Sequence, residues 1–283
     1  MIRVRTAGRM GNQMFQLAFA HATSRRLGRE FSLGPGPRGS HATLGPPLWS
    51  FFELGDWARP ALRWRRRAAF RLRHGPRPQL DEIGQFEDPA TVLKRLRDGV
   101  EYAGFFQSEH WFEDYAEEVR ALYRVRAEHR QAFEAQFPAL PPYICMHVRR
   151  ADYLDIPGGG WALPTSYFRD ALASIPERER YLLVVVSDDP QAVAIELAGE
   201  PGLQCSSNPA IIDLQLLIGA DVVVTSNSSF SWWGAWLNER PELRVIAPLH
   251  WIGFASGVDE PAGAIPGRWN ALAVRDAPLQ RDT

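Results

Sequence analysis

The chain has 283 residues, of which 45% are hydrophobic and 23% charged, so it is long enough for two globular domains of ordinary size. Its formal net charge of −1 excludes a general electrostatic attraction to nucleic acid or to an anionic membrane, which leaves only local patches for such contacts. Two cysteines, Cys145 and Cys205, are too few for a disulfide framework. Because the sequence also has neither a signal peptide nor a run of about 18 apolar residues, we expect a cytoplasmic protein.

The first half of the chain opens with a predicted strand, a glycine turn and a helix. Residues 2–6 alternate as a short strand does, and Gly8 and Gly11 interrupt the pattern. Apolar residues at helical spacing over 14–22 then predict a helix that ends at Gly28. We expect residues 34–60, which are rich in Gly and Pro, to be irregular. The remaining predictions for this half are a helix over 88–98, a strand over 100–106 and a helix over 111–136.

The second half has a more regular rhythm. Three prolines within 136–142 predict a linker between an N-terminal domain, 1–140, and a C-terminal domain, 141–283. Beyond it we predict strands over 143–148, 181–189, 221–229 and 243–251. Helices are predicted over 164–175, 190–199, 211–220 and 230–240. This alternation of strands and helices predicts a doubly wound α/β domain with a parallel sheet.

Polar side chains stand where three of these strands end. They are His147, Arg149 and Arg150 after the first strand, Ser187, Asp188 and Asp189 after the second, and residues 225–229 after the third. Ligands of open α/β sheets bind outside the carboxyl ends of the strands. An arginine suits a phosphate, a serine-rich turn that opens a helix offers hydroxyls and free N–H groups, and a carboxylate can accept the N–H donors of a guanine. The pattern therefore indicates a nucleoside diphosphate.

Each of these segments also has a plainer interpretation. The turn "RRAD" is often a surface loop in which Asp152 pairs with an arginine, and "SDDP" and "SNSS" are common helix caps. The aromatic residues of "SWWGAW" are at helical spacing and typically pack into a core. These interpretations stay open for individual residues, but the coincidence at successive strand ends favours a ligand site.

Five segments of the chain, in order, resemble the blocks of the alpha-1,2-fucosyltransferase family. They are "GRMGNQMFQLAFAHATSRRLG" (8–28), "GFFQSEHWF" (104–112), "HVRRADY" (147–153), "VVSDDP" (185–190) and "SNSSFSWWGAWLN" (226–238). The chain departs from the family at Gly8-Arg9-Met10-Gly11, where Gly-Gly-Leu-Gly is usual, and at Ala151, where Gly is usual. At the first of these positions the sequence is closer to the Gly-Arg-Phe-Gly-Asn-Gln form seen in protein O-fucosyltransferases. This difference bears on which acceptor the protein uses and not on its donor.

The resemblance implies a GT-B-like fold of two Rossmann-like halves that face each other across a cleft. GDP-fucose would bind the C-terminal half and the acceptor would bind in the cleft. The implied reaction is inverting transfer of L-fucose from GDP-β-L-fucose to a galactose hydroxyl of a glycan, in alpha-1,2 linkage, for surface polysaccharide. No cofactor is implied, and no metal, since the chain lacks Asp-x-Asp, His-x-His and Cys-x-x-Cys motifs. Two hypotheses compete with this one: another linkage or acceptor, and a non-catalytic protein that binds GDP-sugars.

The resemblance also implies roles for individual residues. Arg149 would stabilise the leaving diphosphate, and Asn12 would reach across the cleft toward the phosphate or the bond being broken. His147 and Asp189 would hold the guanine edge, with Asp188 beside them, and Ser228, Ser229 and Ser231 would meet the phosphates. The remaining donor-side residues are Gly11, Arg150, Asp152, Ser226 and Asn227, among which Arg150 and Asp152 are interpreted mainly as a structural pair. Gln13 and Gln107 are assigned to the acceptor or cleft, and the general base stays open among Asp152, Asp155 and Glu109.

A basic patch, Arg63–Arg77, lies outside these blocks. Residues 61–77 contain seven arginines, two of which flank Trp64. The plainer interpretation is a solvated helix face, and the functional one is peripheral docking to the anionic inner membrane. We do not expect nucleic-acid binding, because no recognition motif accompanies the patch.

Overall fold

The computed structural model describes residues 1–35, 43–55, 60–75, 78–156 and 160–280, with only the backbone for 60–64. These residues form two compact units. The first comprises Met1–Ala127 and Pro261–Ala264, and the second comprises Glu128–Glu260 and Ile265–Thr283. Each unit has a parallel sheet and helices, so the predicted α/β class with two Rossmann-like halves is confirmed.

The first unit has a four-stranded sheet. In chain order its elements are β1 (Ile2–Thr6), α1 (Met10–Leu27), β2 (Phe31–Pro35), α2 (Pro60–His74), β3 (Gln79–Glu82), α3 (Pro89–Arg95), β4 (Val100–Ala103) and α4 (Ala116–Leu122). The strand order is β2-β1-β4-β3, and all the pairs are parallel. The carboxyl ends of its strands therefore lie at one edge of this sheet.

The second unit has a six-stranded sheet. Helix α5 (Ala127–Gln136) leads into it, followed by β5 (Tyr143–Val148), α6 (Ala151–Leu154), α7 (Thr165–Ala173), β6 (Leu182–Ser187), α8 (Pro190–Glu196), β7 (Leu203–Cys205), α9 (Ala210–Gly219), β8 (Val222–Val224), α10 (Ser229–Leu237), β9 (Arg244–Pro248) and β10 (Asn270–Leu272). The order is β10-β9-β8-β5-β6-β7, with all pairs parallel. Strands β8, β5 and β6, whose polar ends the sequence singled out, are thus neighbours.

The core of the second unit is built on its central strands. Every residue of β5 is buried, because both faces of this central parallel strand are covered. Its residues Ile144, Met146 and Val148 pack with apolar residues of β6, β8, α7 and α8 in one cluster. Burial of each such side chain contributes roughly 1.5–3 kcal/mol. A rigid sheet of this kind holds its strand ends in fixed positions.

Several elements differ from those predicted. The helix predicted over 111–136 is interrupted, because backbone groups of Arg124 and Arg126 pair with Glu53 and Phe51 instead of continuing a helix. The strand β2 extends into the stretch that was expected to be irregular. The short edge strands β3, β7 and β10 were not predicted, since four or three residues carry too little alternation to be recognised.

The two units divide between Ala127 and Glu128 rather than within residues 136–142. Helix α5 and the proline-rich segment after it belong to the second unit, where Gln215 Nε2 donates a hydrogen bond to the His129 carbonyl (3.1 Å). Gln136 Nε2 likewise donates to Asn208 Oδ1 (2.6 Å). The prolines shape the local backbone, but these long-range contacts decide to which unit the segment belongs.

The basic patch lies partly on helix α2. Arg66 is 3.6 Å from Glu30 and donates to the Phe31 carbonyl (3.4 Å), so it faces the protein. By contrast, Leu72 is 87% exposed. The side chain of Arg63 and the whole of Arg77 lie outside the described residues. Membrane docking by this patch stays a prediction, and none of the described helices is long and apolar enough to cross a membrane.

A close helix crossing gives a test of this packing. A Cβ atom added to Gly234 in α10 would lie 2.4 Å from the Leu217 Cβ in α9. We expect Gly234→Ala to lower the free energy of unfolding by about 1–3 kcal/mol, because the crossing is overpacked. Gly267→Ala is the control, since nothing lies within 4 Å of its Cβ position. Urea denaturation measures both, and a more stable Gly234→Ala protein, as helix propensity alone predicts, would contradict the crossing.

Candidate functional site

The polar ends of β5, β6 and β8 meet at one edge of the second sheet. His147 Nδ1 lies 2.7 Å from Ser226 Oγ, which joins the end of β5 to the loop after β8. Arg149 Nη1 lies 3.0 Å from Asp188 Oδ2, which joins the loop after β5 to that after β6. The predicted convergence of these three segments is confirmed. We call this cluster the strand-end site.

His147 is a buried, neutral histidine. Only 3% of it is exposed, and its ring lies 5.5 Å from that of Phe230, centroid to centroid. Burial, and to a smaller extent the positive charge of Arg149, lowers the pKa of His147 to about 3. At neutral pH the ring can therefore donate or accept a hydrogen bond without adding charge to the site.

Arg149 lies between two carboxylates. Its Nη2 donates to Asp152 Oδ1 (2.6 Å) and its Nη1 pairs with Asp188 Oδ2 (3.0 Å). The guanidinium carbon is 5.4 Å from the centroid of the Tyr153 ring. The Nε atom is buried and has no hydrogen-bond partner among the described residues. Asp152 therefore pairs with Arg149, which corrects the predicted pair of Arg150 with Asp152.

Arg150 forms an ion pair with an acidic side chain of the protein, as predicted, but this side chain is that of Glu196. Arg150 is 1% exposed, and its Nε and Nη2 contact the Glu196 carboxylate at 2.5–3.2 Å. Its Nη1 donates to the Leu163 carbonyl (2.9 Å). Burial raises the pKa of Glu196, but the hydrogen bond and charge of Arg150, with a hydrogen bond from Thr165, outweigh it and lower this pKa. Arg150 is therefore held by contacts within the protein, and its assignment to donor binding stays a prediction.

The two aspartates after β6 have different roles. Asp188 Oδ1 accepts a hydrogen bond from the Arg150 backbone N–H (2.8 Å), so this carboxylate joins both arginines to the end of β6. Asp189 caps helix α8, since its Oδ1 accepts from the Ala192 N–H (3.1 Å). The helix-cap interpretation of "SDDP" is thus confirmed for Asp189. Contact of either residue with a guanine stays a prediction.

The serine-rich turn after β8 is held mostly by its own contacts. Ser228 caps helix α10, accepting from the Phe230 N–H (3.4 Å), and Ser229 is half-buried. Ser231 is fully buried and its hydroxyl lies 3.1 and 3.3 Å from the carbonyl oxygens of Ser228 and Ser226. Its hydroxyl is therefore engaged by the turn itself, and its contact with phosphate stays a prediction.

An aromatic pair that was not predicted joins two sides of the site. The Tyr153 hydroxyl donates to the Asn227 carbonyl (3.1 Å), and the Tyr153 and Trp161 rings meet edge to face at 5.6 Å. Asn227 Nδ2 donates to the Trp161 carbonyl (2.8 Å), while its buried Oδ1 has no partner within the described part of the chain. Aromatic residues close to "RRAD" were the signal available in the sequence.

The glycine turn of the first unit brings together two residues that were predicted separately. Gln107 Nε2 donates to Asn12 Oδ1 (2.8 Å), so the orientation of the Asn12 amide is set. Gly8 has a φ of +71°, and a Cβ there would lie 2.4 Å from Asn12 Nδ2. Buried Gln16, which was not predicted, accepts from the Ala7 N–H (2.9 Å) and donates to the Gly104 carbonyl (3.2 Å).

The remaining residues of this turn are structural in the contacts they make. Gln13 is 5% exposed and donates to the carbonyls of Gly8 and Leu44, and Gly11 is buried within helix α1. Of the three acids considered as a general base, Asp152 is engaged by Arg149, and the base stays unassigned. Within the described ranges no group of three or more His, Cys, Asp or Glu side chains could hold a metal ion.

Comparisons with known proteins point to one family. The model of glycosyl transferase family 11 matches residues 100–252. The O-antigen biosynthesis glycosyltransferase WbnK of Escherichia coli is 30% identical over 115 residues, 38% of this chain and 38% of WbnK. An alpha-1,2-colitosyltransferase of Escherichia coli is 27% identical over 170 residues, 56% of this chain and 58% of that protein. These matches span less than two-thirds of either relative.

A solved structure covers more of the chain at lower identity. The NodZ alpha-1,6-fucosyltransferase, soaked with GDP-fucose, is 16% identical, with a TM-score of 0.46. The alignment covers 83% of this chain and 92% of NodZ.

The buried Arg150–Glu196 pair predicts a large loss of stability when one partner is neutralised. Glu196→Gln leaves the enclosed guanidinium without a counter-charge, so we expect the free energy of unfolding to fall by about 3–5 kcal/mol. The control is Glu177→Gln, whose partner Arg180 has a side chain 72% exposed and should change stability by about 0.5 kcal/mol or less. Replacing both members, Arg150→Met with Glu196→Leu, should recover much of the loss. If Glu196→Gln and Glu177→Gln lowered the free energy of unfolding equally, the stabilising role of the buried ion pair would be contradicted.

The neutral state of His147 predicts a pH dependence of stability. Between about pH 3 and 6.5 the unfolded chain binds a proton at this residue and the folded chain does not, so stability decreases as the pH falls. The slope is about 1.4 kcal/mol per pH unit below pH 6. His147→Gln removes this contribution, so its stability should approach that of wild type between pH 7 and 5. Asp213, whose pKa burial raises to about 6, contributes in the opposite sense but equally in both proteins. The free energy of unfolding is measured by urea denaturation. If it changed by the same amount in wild type and in His147→Gln between pH 7 and 5, the prediction would be wrong.

Proposed function

The chain belongs to glycosyl transferase family 11, and on this basis we propose that it transfers L-fucose from GDP-β-L-fucose to a hydroxyl of a galactose-terminated glycan. The proposed linkage is alpha-1,2, with inversion at the anomeric carbon. The observation that carries the proposal is the strand-end site, where a neutral histidine, a paired arginine and a serine-rich helix start lie at one sheet edge. The name of WbnK, an O-antigen biosynthesis glycosyltransferase, supports a role in making surface polysaccharide, and that of the alpha-1,2-colitosyltransferase supports the linkage.

The diphosphate of the donor is proposed to bind Arg149 and the start of helix α10. A guanidinium has five N–H groups, and the two ion pairs of Arg149 occupy one on each Nη, so three remain. Asp152 and Asp188 can therefore hold the guanidinium in place while it contacts phosphate. Helix α10 has nine residues, and its first backbone N–H groups and dipole favour an anion beside Ser228 and Ser229.

The chemistry requires charge stabilisation more than acid catalysis. The bond between the anomeric carbon and the β-phosphate oxygen breaks, and GDP leaves with the electron pair. The acceptor hydroxyl forms the new bond and loses its proton. Negative charge grows on the β-phosphate, where a preorganised cation acts most strongly. We assign this role to Arg149, guanine contacts to His147 and Asp189, and a hydrogen bond near the reacting bond to Asn12, whose amide cannot act as a base at neutral pH.

A second donor has specific support. Because one relative is an alpha-1,2-colitosyltransferase, 27% identical over 170 residues, a colitosyl group competes with fucose as the sugar transferred at the same site. A different linkage would change the product, and a protein that only binds the GDP-sugar would form no product. Measuring GDP release and product formation with each donor, with and without lactose, separates these cases.

The assay gives the functional prediction. In excess EDTA, GDP-fucose should release GDP in proportion to added β-galactoside, and the product should carry an alpha-1,2 linkage by NMR. Arg149→Ala should lower kcat/KM by about 10²–10³-fold, on the order of 3–4 kcal/mol. Arg180→Ala, which removes an exposed arginine of the same unit, is the control and should retain activity.

Four outcomes would contradict parts of this proposal. Near-normal turnover by folded Arg149→Ala refutes the charge-stabilising role. Complete loss of activity in EDTA refutes a metal-independent mechanism. If only the colitosyl group is transferred, the donor sugar is colitose and not fucose. Tight GDP binding without turnover of GDP-fucose with any galactoside favours a protein that only binds the nucleotide sugar.

A further inference from the structure

Helix α2 presents a face to which none of the roles above is assigned. The helix contains six arginines and no acidic residue. Since the whole chain has a net charge of −1, the rest of the chain is net negative, and α2 is a local positive region on it. A local region of this kind orients a protein toward an anionic surface even where the overall charge gives no attraction.

One face of α2 packs on the protein. Phe70 is fully buried, and its ring centroid lies 4.9 Å from that of His74, one turn later. Arg66, one turn earlier, contacts Glu30 (3.6 Å) and donates to the Phe31 carbonyl (3.4 Å). Residues four positions apart share a face of a helix, so residues 66, 70 and 74 define the side that faces the protein.

The opposite face is open to solvent. Leu72 lies two positions from Phe70, about 200° around the helix axis, and is 87% exposed. Arg71 and Arg73 flank it, each about 100° around the axis, and both are exposed, while Arg67 is half-buried. None of these three arginines forms an ion pair with an acid in the part of the chain that the structure describes. We call Arg67, Arg71, Leu72 and Arg73 the α2 cluster.

The positive charge of the α2 cluster reaches the neighbouring strand β1. Burial lowers the pKa of Arg3, the charge of Glu101 opposes this, and the charges of Arg67 and Arg71 lower the pKa further. Glu101 already pairs with both Arg3 and Arg5. This acid therefore does not neutralise the cluster, and an anion from outside the protein would relieve the repulsion.

The helix end explains only part of this arrangement. Arg71 and Arg73 lie in the last turn of α2, where cations interact favourably with the helix dipole. That effect does not account for Arg67 in mid-helix or for the exposure of Leu72. An aliphatic side chain adds nothing to contact with a nucleic-acid backbone, whereas it can insert between lipid headgroups while arginines contact the lipid phosphates. The combination favours a lipid surface.

We propose that the α2 cluster docks the protein on an anionic phospholipid bilayer. Arg67, Arg71 and Arg73 contact lipid phosphates, and Leu72 inserts into the headgroup region. Each cation contributes about fivefold to the affinity, so the binding is reversible and is not a permanent anchor. The inference concerns a surface of the first unit, and it does not depend on which sugar the protein transfers.

Sedimentation with sucrose-loaded vesicles tests the arginines. Vesicles of phosphatidylglycerol and phosphatidylcholine in equal parts are compared with vesicles of phosphatidylcholine alone. We expect wild type to bind only the anionic vesicles, and more weakly as the salt concentration rises. The triple variant Arg67→Gln, Arg71→Gln, Arg73→Gln should bind them about 100-fold more weakly.

A matched control removes the same amount of charge from arginines that pair with acids. It combines Arg25→Gln, Arg29→Gln and Arg180→Gln, all at exposed positions, and it should bind within about threefold of wild type. Absence of binding by wild type, equal binding to neutral vesicles, or an equal loss in the control would overturn the proposal. Urea denaturation checks that each variant is folded.

Leu72 separates a bilayer from other anionic partners. Leu72→Ala should weaken binding to anionic vesicles by about three- to tenfold and leave binding to heparin, a soluble polyanion, unchanged. Ile195→Ala on α8, at an aliphatic residue that is 78% exposed, is the control and should bind vesicles as wild type does. If Leu72→Ala bound vesicles as tightly as wild type, while the triple arginine variant lost binding to vesicles and heparin alike, the cluster would bind polyanions in general and lipid docking would be wrong.

Discussion

The adjacent guanidinium groups of Arg149 and Arg150 impose the constraint on which the strand-end site depends. Two like charges at the end of a buried strand require nearby acids, and the protein supplies three. Glu196 pairs with Arg150 from helix α8, while Asp152 and Asp188 pair with Arg149. Since these acids come from different elements, neutralising the arginines also ties the loop after β5 to its neighbours.

This arrangement gives the two arginines different tasks. Arg150 is enclosed and fixed, so it sets the course of the backbone that carries Arg149. Arg149 keeps donors beyond its two ion pairs, and its side chain is 14% exposed. Tyr153 adds a link from the same loop to the turn after β8 through the Asn227 carbonyl. A guanidinium held in this way needs little reorganisation when negative charge develops beside it, which is the condition for strong electrostatic stabilisation.

The first unit follows a similar rule with neutral groups. Gln13 donates its amide hydrogens to the carbonyls of Gly8 and Leu44. Gln16 donates to the Gly104 carbonyl, and Gln107 donates to Asn12 Oδ1. These hydrogen bonds hold the conformation of the glycine turn.

The sequence alone determined the α/β class, the order of the central strands and helices, and the polar strand ends, because local apolar patterns report burial of a strand directly. Its ordered blocks also determined the family, which the match over residues 100–252 confirms. Only the tertiary structure decided which acid meets which arginine. Glu196 pairs with Arg150 across 46 residues, and Asp152 turns to Arg149. The edge strands and the division at Ala127 were likewise decided by long-range contacts, since pairing energies depend on residues that are close in space and distant in the chain.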